Sequence, residues 1–170
     1  MRRQLSFSGK GSRIFAALEL QNDMQNIEMF NFAVGEILGE CYQSFPVPVT
    51  ISKGVIGHSV VEYFRLCHPD YLDHGDPEFQ IAQHTILWLV RAGYIWTEEE
   101  SAEDGRIIRA TLSPKGLELL NAVPSSVDDK EPIGAQLAKG VKGVGADVFQ
   151  NLVTQVLSSG ALVLQSSLQF

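Results

Sequence analysis

The chain is poor in sulfur, poor in positive charge and free of long apolar runs. Its 170 residues include two cysteines, Cys41 and Cys67, both set among apolar neighbours. Two such thiols build no disulfide framework and read as reduced core residues of a cytoplasmic protein. No stretch approaches the roughly 20 consecutive apolar residues that span a bilayer. The opening MRRQLSFSGKGSR is basic, but no apolar segment with a small-residue cleavage site follows it, which argues against a secretory signal. Lys and Arg number 13 against 20 acids, for a net charge of −7. The deficit is uneven. Residues 1–13 carry four bases and no acid, residues 14–123 carry 16 acids against 6 bases, and residues 124–170 carry 4 against 3. An acidic body matters, because DNA affinity comes largely from Lys and Arg on phosphates.

Catalytic signatures are missing too. Gly-Lys-Gly at 9–11 lacks the spacing and flanking elements of a phosphate loop, and there is no nucleophile elbow or zincin motif. The chain is therefore read as a non-enzyme with no catalytic residue and no cofactor. Cys67, His68, Asp70, Asp73, His74 and Asp76 are all metal-ligating types. Their spacing fits no recognised zinc pattern, and Asp and His are ordinary turn and capping residues, so no metal is assigned.

What is present is a globular composition, 45% hydrophobic and 19% charged, able to bury a sizeable core. Residues 1–22 read as a basic arm with a loop at 8–12. A helix is predicted over Asp23–Tyr42, with Met24, Ile27, Phe30, Val34, Ile37, Leu38 and Cys41 as its stripe and Asn22 or Asp23 as its cap. Gly35 and Gly39 inside it point to close contact with another helix. Pro46 and Pro48 end it. Val47–Ile51 reads as an edge strand, and Val55–Leu66 as a second helix.

The most informative stretch is Phe79–Leu120. Phe79, Ala82, Ile86, Leu89 and Val90 recur at helical spacing, behind Asp76 as a cap and Pro77 in the first turn. Gly93 suits the left-handed residue that ends a helix. Tyr94–Thr97 reads as a strand, Glu98–Arg106 as a polar loop and Ile107–Leu112 as a second strand. Ser113 and Pro114 then open another helix. After Ala122 comes a polar linker, residues 124–132. An amphipathic helix is predicted over Ile133–Leu157, firm from Asp147, weakened by Gly140, Gly143 and Gly145 and ended by Ser158-Ser159-Gly160.

His84, the LWLVRAGYI run at 87–95 and LSPKGLELL at 112–120 resemble the core of prokaryotic winged-helix proteins, including the MarR and PadR regulators, over roughly residues 24–122. A closer likeness is to a small uncharacterised phage and bacterial winged-helix family with a histidine before the "aGyI" turn and a further helix after the domain. The resemblance implies a mainly α fold with a small β-wing (α+β), a winged helix-turn-helix at 23–123 followed by a C-terminal amphipathic helix and tail at 133–170. It also implies a DNA-binding transcriptional regulator or phage-type control protein, a homodimer through the C-terminal helix, with a tail folded back on the domain or lying on a membrane surface as the other readings of that helix. One departure is the connection Cys67–Asp76, longer than a simple helix-turn-helix turn.

The helix at 79–92 would turn Gln80, Gln83, His84, Leu87 and Arg91 away from the core. Glutamine pairs with adenine and arginine with guanine in the major groove, and Arg106 and Arg109 add positive charge in the wing. Double-stranded DNA is the expected partner and no membrane is expected. Against this, Glu78 opens the helix and Glu98, Glu99, Glu100, Glu103 and Asp104 crowd the wing. The alternative is an acidic winged-helix interaction module, an adaptor that binds a protein partner and no DNA.

Overall fold

A computed structural model describes residues 10–71, 75–98, 107–124 and 131–166, with side chains for 25–71, 75–98, 108–124 and 131–161. In chain order the elements are α1 (Lys10–Ser44), β1 (Val49–Ser52), α2 (Lys53–Cys67), α3 (Asp76–Arg91), β2 (Ile95–Thr97), β3 (Ile107–Leu112), α4 (Pro114–Asn121), α5 (Ile133–Ala138), α6 (Gly140–Val144) and α7 (Ala146–Ser166). The protein is α+β: mostly helical, with one antiparallel sheet in the order β1-β3-β2. Val49 pairs with Ala110 and Ile51 with Ile108 on one side of β3, and Ile95 pairs with Leu112 on the other. Ile51, Ile95, Ile108, Ala110 and Leu112 face the core. Among the described residues, no helix is long and apolar enough to cross a membrane.

The first helix is longer than its sequence signals suggest. It begins at Lys10, so Asn22 and Asp23 lie inside it rather than capping it, and the loop read at 8–12 is helical from residue 10. Ala16, Ala17, Leu18, Glu19, Leu20 and Gln21 are strong helix formers. They outweigh the cost of about 1 kcal/mol for Gly11. Within α1, Gly35 and Gly39 do mark close approach. A β-carbon at 35 would overlap Phe149 and Val153, and one at 39 would lie 2.9 Å from the Leu137 carbonyl.

The C-terminal region departs furthest from expectation. Gly140 (φ 65°) and Gly145 (φ 87°) adopt left-handed backbone and divide the predicted helix into α5, α6 and α7. The final helix runs through Ser158-Ser159-Gly160 to Ser166. Gly160 is needed there because a β-carbon would overlap the Tyr94 hydroxyl. Ile133, Leu137, Phe149, Leu152, Val153 and Val156 are each 3% exposed or less. The stripe expected to pair two subunits is thus covered by its own chain, mainly by α1. At its start α5 lies against Tyr42, whose ring covers Gly134, and the Ala122 carbonyl accepts the Ile133 amide at 3.0 Å.

Burial also sets a pH dependence. Glu36 of α1 is half-buried, and its pKa is raised above the ordinary 4.5 by desolvation and by Glu40, with Lys142 opposing. The stability of the protonated form is fully present below the unfolded pKa and is lost as pH rises through the folded one. Glu36→Gln is therefore expected to melt higher than wild type at neutral pH, the gain vanishing below about pH 4. Equal melting temperatures at both pH values would refute this reading of Glu36.

Candidate nucleic-acid interface

Helix α3 is held by both ends and by its inner face. Gly75, at φ 78°, precedes it and takes the capping position expected of Asp76, which lies in the first turn with Pro77 and Glu78. Glu78 is fully buried, and the Tyr71 hydroxyl donates to its Oε1. A carboxylate in the first turn suits the positive end of the helix dipole. This corrects the view of Glu78 as a surface charge opposing phosphate. Ala82, Ile86 and Leu89 are wholly buried, and Phe79 packs against Gly57 of α2, where a β-carbon would overlap its ring.

The far end of α3 shows what the LSPKG segment does. Gly93 (φ 71°) donates its amide to Val90 O and Tyr94 donates to Leu89 O, the paired bonds of a Schellman cap. Ser113 Oγ accepts from Gly116 N at 3.0 Å as the cap of α4, and donates to Gly93 O at 2.6 Å. Lys115 Nζ donates to Ala92 O at 3.0 Å. At Gly116 a β-carbon would overlap the Tyr94 carbonyl. Ser113, Lys115 and Gly116 therefore fasten the start of α4 to the turn that ends α3, each through a different physical requirement.

With the inner face buried, α3 presents Gln80, His84 and Arg91 as exposed residues, with Gln83 and Leu87 half-buried beside them. These share one stripe, as the helical period requires. Lys53, at the start of α2, donates to Gln83 Oε1 at 3.2 Å. Pairing of Gln83 with adenine through both amide atoms would use the same oxygen, whose second lone pair Lys53 leaves open. Lys53 escaped the sequence reading because the contact joins two elements 30 residues apart.

The sheet brings less positive charge than expected. Arg109 is exposed on the outer face of β3, but its Nε lies 3.4 Å from Glu98 Oε2, so each charge is offset by the other. Arg106, Glu99, Glu100, Glu103 and Asp104 lie outside the described residues. Trp96 shares this outer face and is 57% exposed.

The 67–76 connection has another use for its polar residues. His68 Nε2 lies 3.0 Å from Glu28 Oε1, which also accepts from the Tyr63 hydroxyl at 2.9 Å. Gln150 of α7 donates to Tyr63 Oη at 3.3 Å. Burial, followed by the Glu28 contact, pushes the Tyr63 pKa up. The cluster joins α1, α2 and α7, and its separations along the chain hide it from any motif. Asp73 and His74 lie outside the described residues, and among the described ones no three metal-ligating side chains converge. Cys41 is a buried thiol whose pKa burial pushes up to about 12. Cys67, expected in the core, is exposed at the end of α2, and both are free.

Neither a protein-family model, nor a curated protein, nor a solved structure matches the chain.

Proposed function

We propose that the chain is a winged-helix DNA-binding protein, a transcriptional regulator or phage-type control protein that sets α3 in the major groove. The observation that carries this reading is the exposed stripe of Gln80, His84 and Arg91 on a helix whose other face is wholly buried. The order α1-β1-α2-α3-β2-β3 with sheet order β1-β3-β2 supports it, since a winged helix is built that way. So does the burial of Glu78, which removes one acid from the surface that would meet phosphate. Pairing of two subunits through the C-terminal helix would use the exposed side of α7, because α1 covers the apolar stripe.

The test is fluorescence anisotropy with a labelled random duplex at about 50 mM and about 200 mM salt. Micromolar binding at the lower salt that collapses at the higher is the expected result. An unchanged anisotropy at both would remove DNA as the ligand.

A second reading has its own observation. Exposed Trp96, next to the offset Arg109–Glu98 pair, suits a protein partner better than a phosphate backbone. In that case the chain is an acidic interaction module, and Trp96→Ala abolishes partner capture while Arg91→Ala leaves it intact.

A further inference from the structure

Between α1, α2 and α6 lies a cavity of ≈ 190 Å³. Phe32 of α1 and Tyr63 of α2, stacked at 4.4 Å, give it aromatic walls. Leu66 of α2 also lines it and is 66% exposed. On the α6 side the left-handed backbone of Gly140 comes close, so that a β-carbon there would lie 3.6 Å from Glu36 Oε1. Apolar cavities of about 150 Å³ admit benzene, whereas drug-sized ligands need about 300 Å³ or more. The volume therefore suits one extended side chain.

Two carboxylates line this cavity, Glu36 and Glu62. Among the described residues neither has a hydrogen-bond or ion-pair partner. Of the two lysines in the lining, Lys139 is held by Glu131, 2.6 Å away. Lys142 is exposed and acts on Glu36 only at longer range. The lining is thus one positive charge short. Burial and the neighbouring Glu40 raise the Glu36 pKa, a penalty that a further cation would offset.

We propose that this cavity receives an arginine side chain from a basic segment of a partner protein, its stem against Phe32, Tyr63 and Leu66 and its guanidinium between Glu36 and Glu62. A guanidinium is planar, carries five donors and stacks on aromatic rings, so it serves two carboxylates at once where a compact ammonium does not. A free amine or guanidine would leave Leu66 bare, whereas the chain on either side of an arginine covers it. Arginine anchors ringed by apolar contacts are frequent hot spots of protein interfaces. An anion would be repelled by the two carboxylates. The cavity shares no residue with the α3 stripe or with Trp96, so this contact is separate from those described above.

The test is a fluorescein-labelled peptide, Gly-Leu-Arg-Arg-Leu-Gly, titrated with the full chain at low salt, beside versions with lysine or citrulline in place of both arginines. The arginine peptide is expected to give a saturable anisotropy rise, at least about fivefold tighter than the lysine peptide. The citrulline peptide is expected to give none. Glu36→Gln removes a desolvated charge and keeps the fold, and it should weaken the arginine peptide at least about tenfold, or about 1.4 kcal/mol. Glu118→Gln, an exposed acid of α4 outside the cavity, should change it by less than about twofold. Leu66→Ala should weaken the peptide about threefold, all variants retaining the wild-type circular dichroism. Arg2→Ala with Arg3→Ala should leave the affinity unchanged. A severalfold gain there would give the cavity to this chain's own Arg2 and Arg3 and overturn the proposal. So would no saturable response to the arginine peptide, equal binding of the citrulline peptide, or equal losses in Glu36→Gln and Glu118→Gln. Full affinity in Leu66→Ala would reduce the site to one for a free cation and overturn it as a protein contact.

Discussion

Phe149→Ala is expected to lower the unfolding free energy by about 3–5 kcal/mol. The ring is 0% exposed and lies 5.7 Å from Phe32, over the site where Gly35 leaves room for it. Truncation removes most of the side chain and leaves a hole that cannot close, because α1 is a continuous helix on one side and Leu152 and Val153 are already packed on the other. Domains of this size hold about 5–15 kcal/mol in all, so the loss takes a large share. Urea unfolding followed by circular dichroism measures it as a fall in midpoint. An unfolding free energy within about 0.5 kcal/mol of wild type, the ordinary range for surface changes, would mean that α7 is an appendage. The same substitution separates two roles for the C-terminal region. Had its stripe paired two subunits instead of folding back, the first effect would be on molecular mass.

The largest functional effect is expected at Arg91. Arg91→Ala should weaken duplex binding by about 1–3 kcal/mol, from fivefold to more than a hundredfold, if the guanidinium reads a base edge. If it holds a phosphate instead, the loss is similar for every sequence and the salt slope falls by about one. Arg91 sits exposed in the last turn of α3, where a cation also complements the helix dipole. Arg109→Ala is the internal control. It is made together with Glu98→Ala, so that the offset pair goes as a unit and the net charge is unchanged. Anisotropy titrations of the two variants beside wild type give the comparison. Duplex binding by wild type with Arg91→Ala indistinguishable from it would place the DNA contact elsewhere than on α3.

Much of the central fold is legible from local pattern. The α3 stripe, the Gly93 stop, both strands of the hairpin, the Ser113 cap and the short β1 strand all rest on neighbours within a few residues, and all are present. The exposed set Gln80, His84 and Arg91 follows from the period alone. Less legible is anything that depends on partners far along the chain. Glu78 reads as a surface acid because glutamate usually is one, yet Tyr71 and the packing of α2 bury it. Arg109 reads as a phosphate ligand until Glu98 is seen beside it. Cys67 reads as core from its neighbours but lies at an exposed helix end.

The sequence by itself determined the order and the approximate places of the helices and strands of residues 49–121, since periodicity, caps and turn glycines are short-range properties of the chain. Through Gly35 and Gly39 it also indicated that α1 meets another helix closely, without saying which. The tertiary structure alone decided that the meeting is within one chain. It decided as well that left-handed Gly140 and Gly145 bend one predicted helix into three, and that Glu28, Tyr63, His68 and Gln150 form one cluster. It also set Glu36 and Glu62 in one cavity with Phe32 and Tyr63. The reason is the same in each case. Burial and pairing depend on which surfaces come together, and two amphipathic stripes carry no mark that says whether their partner is the same chain or another.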